Sequence, residues 1–142
     1  MAYTTISKST DYFNTKLYTG TGSSNAITGV GFQPDWTWIK NRDGTDDHKA
    51  FDAVRGVTKV LKPNTSGAES TDSNTLSAFG TDGFTVGSDG GVNGNGDDFV
   101  SWNWKAGTGQ GSSNTDGSIN TTYTSVNTTA GFSISQYTGT GS

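Results

Sequence analysis

Cysteine is absent from this 142-residue sequence, which removes disulfides, thiolate nucleophiles and cysteine-based metal centres at once. Charge is almost as scarce. Only 15% of residues are ionic and the net charge is −4, with lysines and arginines scattered rather than run together. Nothing therefore marks a surface for nucleic acid or for anionic lipid. No apolar run approaches the length of a bilayer span, so membrane insertion is not expected. The opening residues Met1–Ile6 lack the basic and apolar regions of a signal peptide, so synthesis in a cytoplasm is expected. Helical periodicity is also missing, because no apolar stripe at a 3.6-residue spacing persists for ten residues. Proline is rare at 2 residues, whereas glycine reaches 21.

What fills the chain is Gly, Ser, Thr, Asn and Asp. A hydrophobic share of 29% is low for a folded domain, yet 11% of residues are aromatic, including 4 tryptophans. Disordered chains lack such aromatics, so a compact core is expected. Aromatics separated by turn residues imply short strands: Asp11–Thr19, Ala26–Thr28, Trp36–Asn41, His48–Val54, Val57–Leu61, Leu76–Phe79, Phe84–Val86, Phe99–Ala106 and Phe132–Tyr137. The class expected is all-β, a two-sheet antiparallel sandwich of jelly-roll or lectin-like type with little or no helix. Alternation places Trp36, Trp38 and Lys40 on one face of their strand, and Val100, Trp102, Trp104 and Ala106 on one face of theirs. The four tryptophans are expected to pair into one core.

One hexapeptide occurs twice. Tyr18-Thr-Gly-Thr-Gly-Ser23 returns as Tyr137-Thr-Gly-Thr-Gly-Ser142, and upstream Phe13 corresponds to Phe132. That spacing is the length of a whole β domain, longer than a solenoid period. The expectation is an N-terminal module of a protein with tandem modules. Residues 1–10 would form an arm, 11–106 the sandwich, 107–118 a Gly/Ser-rich linker, and 119–142 a β segment leading into the next module.

Catalytic equipment is thin. His48 is the only histidine and no Gly-x-Ser-x-Gly elbow accompanies it. Glu69 is the only glutamate and sits in a Ser/Thr-rich loop, away from any facing carboxylate. No enzyme is expected. Asp89, Asn93, Asn95, Asp97 and Asp98 crowd the glycine-rich stretch before the second tryptophan strand. Oxygen ligands on such a loop suit calcium or sugar hydroxyls, but Asp and Asn are also ordinary turn residues. No cofactor is expected; Ca²⁺ on this loop and a weaker acidic loop at Asp43, Asp46 and Asp47 stay open. A glycan site built from the loops 20–25, 42–48 and 87–98 is the second open reading.

Several segments together resemble a family of virion proteins from marine tailed phages. They are Gln33-Pro-Asp-Trp-Thr-Trp-Ile-Lys-Asn41, Val54-Arg-Gly-Val57, Asp82-Gly-Phe-Thr-Val-Gly87, Val92-Asn-Gly-Asn95, Phe99-Val-Ser-Trp-Asn-Trp-Lys-Ala106 and Ser113-Asn-Thr-Asp-Gly-Ser118. Proteins of this kind are described as tail-fibre or appendage proteins with tandem modules similar to lectin-like or SPRY-like β-sandwiches. The resemblance implies a structural protein of the virion, a homotrimer that contacts other tail proteins, made in the host cytoplasm. A carbohydrate-binding module for host surface glycans and a capsid decoration protein are the alternatives. It supplies no catalytic motif.

Overall fold

A computed structural model describes residues 5–141; residues 1–4 of the expected arm and Ser142 of the second hexapeptide lie outside the described residues. After a 3-10 turn at Ser9–Asp11 come β1 (Phe13–Thr19), β2 (Asn25–Ile27), β3 (Trp36–Asn41), β4 (Lys49–Asp52), β5 (Lys59–Val60), β6 (Ser70–Thr71), β7 (Leu76–Gly80) and β8 (Gly83–Val86). A single helical turn, α1 (Gly90–Asn93), precedes β9 (Asp98–Trp104), β10 (Thr121–Asn127) and β11 (Phe132–Tyr137). The protein is all-β with almost no helix, and its sheets are antiparallel, consistent with a sandwich.

The principal sheet has the order β1-β9-β3-β4, and a three-stranded sheet, β2-β8-β7, covers one of its faces. Between them lies the core: Ile27, Ile39, Phe51, Val60, Leu76, Phe84, Val86, Val92 and Phe99. Tyr18 closes one side of it, stacked on Phe99 with ring centroids 5.2 Å apart. Its hydroxyl donates to the Val92 carbonyl at 2.7 Å, and burial pushes its pKa up. β5 and β6 extend the β4 end of the sheet through paired bonds between Ala50 and Leu61.

The inward face of the principal sheet is less apolar than its position suggests. β3 and β9 both alternate half-buried and buried, and the buried residues are Thr37, Ile39 and Asn41, then Phe99, Ser101 and Asn103. The polar ones satisfy one another. Thr37 Oγ1 donates to Asn103 Oδ1 at 3.1 Å, and Asn103 Nδ2 donates to Ser101 Oγ at 3.0 Å and to the Asn14 carbonyl at 3.1 Å. Fully paired, these groups cost little to bury.

The tryptophans occupy the opposite face, so the expectation that Trp36, Trp38, Trp102 and Trp104 build the core is corrected. Each is half-buried, and none belongs to the cluster between the sheets. Register does pair them, Trp36 with Trp104 and Trp38 with Trp102, but on the outside. A second, smaller cluster of Val54, Ala106 and Ile134 packs under the β10–β11 hairpin against Trp36, Tyr123 and Phe132.

The start of the expected linker is pinned rather than free. The buried Asp35 carboxylate accepts N–H bonds from Ala106 at 2.7 Å, Thr108 at 3.0 Å and Gly109 at 2.6 Å. Gly107 donates to Ser125 Oγ at 2.9 Å. This clamp holds Thr108 at a φ of +65°, a conformation that non-glycine residues adopt only when their surroundings impose it.

Candidate functional site

Two surfaces compete for this role, the glycine-rich loop named by the sequence and the outer aromatic face revealed by the fold. The loop is committed internally. Asp89 caps α1 by accepting the Gly91 N–H at 2.9 Å, and its carboxylate also pairs with the Lys49 ammonium. Asn93 has no exposure at all. Its Oδ1 accepts from the Thr21 N–H at 2.9 Å and from Asn25 Nδ2 at 3.1 Å, while its Nδ2 donates to the carbonyls of Gly87 and Ser23. Asp97 accepts from Asn41 Nδ2 at 3.1 Å. Asp98 accepts from Thr19 Oγ1 at 3.0 Å and faces Arg42 at 3.7 Å. Asn95 is exposed, apart from the others.

The five residues expected to bind a ligand therefore do not converge. Asp98, Asp97 and Asp89 tie the loop to β1, β3 and β4, and Asn93 ties it to the turn after β1. Among the described residues, no group of three or more His, Asp or Glu side chains could hold a metal ion. Asp43, Asp46 and Asp47 are divided in the same way. Asp43 accepts the Asp98 N–H at 2.6 Å, and Asp46 accepts from Asn41 Nδ2 at 2.9 Å. Hydrogen bonds from Asn64 and Lys62 hold the Asp47 carboxyl below the usual carboxylate range.

The outer face is organised differently. Its rows follow from strand register: Phe13, Trp104 and Trp36 lie side by side, then Thr15, Trp102 and Trp38, then Leu17, Val100 and Lys40. The first row is capped. Phe13 leans on Trp104 with centroids 4.8 Å apart, and Phe132 stacks over the same indole at 6.3 Å. The second row is open. Trp38 and Trp102 meet edge to face at 6.1 Å, and Trp38 Nε1 donates to His48 Nδ1 at 2.9 Å. Because Nδ1 accepts, the neutral His48 ring carries its proton on Nε2.

Trp38, His48, Trp102 and Trp104 line a groove of about 380 Å³ that is almost wholly apolar. Leu17, 62% exposed, continues the apolar surface into the third row. Contiguous exposed aromatics of this kind mark contact surfaces, because they offer large area with few torsions to freeze. Flat indole faces can take the apolar face of a sugar ring or a second protein surface. The groove holds no arrangement of nucleophile and base: the one imidazole has its Nδ1 occupied by an indole N–H.

Sequence reasoning placed these tryptophans on shared faces and missed which face was the interior. The residues alternating with them hid this: Thr37, Ser101 and Asn103 look like surface residues until their mutual bonds are seen. Asp35, a buried polar anchor, carried no signal beyond being a turn-type residue, and Asn93 carried only that of a candidate ligand residue.

No curated protein and no solved structure matches the chain. A match does extend over residues 8–142, nearly the whole described length, to a family described as a domain of unknown function. The chain belongs to that family, DUF7483.

Proposed function

We propose that the chain is a non-catalytic structural module of a phage tail fibre or related virion appendage, built to be strung in tandem. One observation carries the tandem part of this reading. The repeated hexapeptide begins at the end of a strand in both copies, β1 and β11, and its glycines Gly22 and Gly141 share a left-handed φ of +67° and +74°. Sequence repetition is thus matched by repeated local structure. The virion assignment is supported by the resemblance of the segments quoted above. Fibres of this type are homotrimers that dock on other tail proteins.

Labelling purified particles with antibody against this chain tests the placement. Signal on the tail is the expected result. Signal spread over the shell would instead make it a capsid decoration protein, and unlabelled particles would overturn the virion reading.

A second reading is favoured by the open groove. Trp38 and Trp102 present indole surface beside a histidine donor, an arrangement suited to stacking on a host surface glycan. Isothermal titration against host polysaccharide should show binding that Trp102→Ala abolishes. Binding unaffected by Trp38→Ala and Trp102→Ala would reject this site.

A further inference from the structure

In its first copy the repeated hexapeptide is one half of a built joint. Gly20 N–H donates to the Asp97 carbonyl at 2.8 Å, Gly22 N–H to the Asn93 carbonyl at 2.8 Å, and Gly96 N–H to the Gly20 carbonyl at 2.9 Å. Thr21 N–H meets Asn93 Oδ1, Thr19 Oγ1 meets Asp98, and the Tyr18 hydroxyl meets the Val92 carbonyl. Gly20 is pressed so close that a Cβ there would overlap the Gly94 carbonyl. β1 itself lies along β9 through seven register pairs, Phe13 with Trp104 to Thr19 with Asp98.

The second copy has the same residues, and Gly141 shares the left-handed φ of Gly22, but the setting is different. Tyr137, counterpart of the inward-facing Tyr18, is 62% exposed. A Cβ at Gly139 or Gly141 would meet nothing within 4 Å. β11 pairs with β10 along one edge, and among the described residues no strand pairs with its other edge. Its two faces are unequal in a telling way. Phe132 and Ile134, which correspond to the outward Phe13 and Thr15, pack against Trp36, Val54 and Ala106. Ser133, Ser135 and Tyr137, which correspond to the inward Asn14, Lys16 and Tyr18, are exposed.

We propose that β11 with residues 138–141 is a shared strand, acting as the first strand of a second sandwich unit while remaining packed on this one. Its partner is a segment of α1–β9 type, a Val-Asn-Gly-Asn-Gly turn leading into a Phe-Val-Ser-Trp-Asn-Trp strand, in a further unit of the same fold. The strand lies against β11's free edge, Tyr137 enters the second core, and the Gly-Thr-Gly turn seats on the second Asn-Gly-Asn turn. The principal sheet of the second unit then continues through β11 into β10. Adjacent units are joined by a common strand, with no flexible spacer between them.

This rests on the tandem part of the proposed function and not on its virion part, so particle labelling and the following experiment fail independently. The 142-residue chain is compared with a two-unit chain in which residues 24–142 follow Ser142. Hydrogen exchange of the amides of residues 133–141 is expected to slow about a hundredfold or more in the two-unit chain, approaching that of residues 14–22. Gly139→Val should leave the melting of the 142-residue chain unchanged and abolish the second unit's transition in the two-unit chain. Gly20→Val should unfold the 142-residue chain, which shows that the joint is sensitive. A second unit that fails to fold, folds without protecting residues 133–141, or tolerates Gly139→Val would overturn the shared strand.

Discussion

At the level of single residues, stability rests on a few buried polar side chains that do the work of missing hydrophobes. Asn93 joins the turn after β1, the start of β2 and the end of β8 through one amide. Asn93→Ala would leave the Thr21 N–H and the Gly87 carbonyl without their partners, at a cost of about 2–4 kcal/mol. The midpoint of urea unfolding measures this. Asp82 supplies a pH-dependent counterpart. Its carboxylate accepts from the Gly29 N–H at 2.8 Å and the Gly31 N–H at 2.7 Å, which holds its pKa below the ordinary value of 3.8. A depressed carboxylate stabilises above its unfolded pKa and loses that contribution as pH falls through its folded one. The amide signals of Gly29 and Gly31 should therefore move together on acidification with a midpoint below pH 3.8, a change that Asp82→Asn removes. Neither role was visible in the sequence, where Asn93 stood among the candidate ligand-binding residues. A turn residue and a buried anchor have the same side chain, and only the fold says which carbonyls surround it.

At the level of strands, the sequence was far more informative. Trp36–Asn41 is β3 to the residue, and Phe132–Tyr137 is β11. Alternation also sorted the faces correctly, because period-two geometry is local. The interior was misassigned because hydrophobicity was used to decide between the faces. In β3 and β9 the inward side carries Thr37, Ser101 and Asn103 while the outward side carries indoles, so the apolar rule points the wrong way. β10 falls within the expected 119–142 β segment but was not singled out as a strand, because Thr121–Asn127 is mostly Thr, Ser and Asn; it is held by pairing with β11 and by the Ser112–Thr124 bridge. The two faces should differ sharply under mutation. Phe99→Ala, in the sealed core, should cost about 3–5 kcal/mol. Trp102→Ala should lower the thermal midpoint much less, since its ring is already half in water and lines a groove that needs no filling.

For the molecule as a whole, the proposed contacts fall on the outer face and on the hairpin. The proposed fibre role predicts a homotrimer, and light scattering on the 142-residue chain measures it directly; a monomer would count against that role. Connectivity adds a constraint of its own. The principal sheet is ordered β1-β9-β3-β4, so the last of its strands to be synthesised, β9, is inserted in the middle. β1 has no sheet partner until β9 arrives, and Phe13 must close a loop all the way to Trp104. Such long-range closure is slow, on the order of milliseconds to seconds. During that wait β1 and its near-copy β11 are rivals for one edge of β9. On a growing chain the contest is decided by timing, because β1 is already present when β9 emerges and β11 is not. Refolding from denaturant removes that head start, so a mispaired fraction should appear in refolding that synthesis avoids.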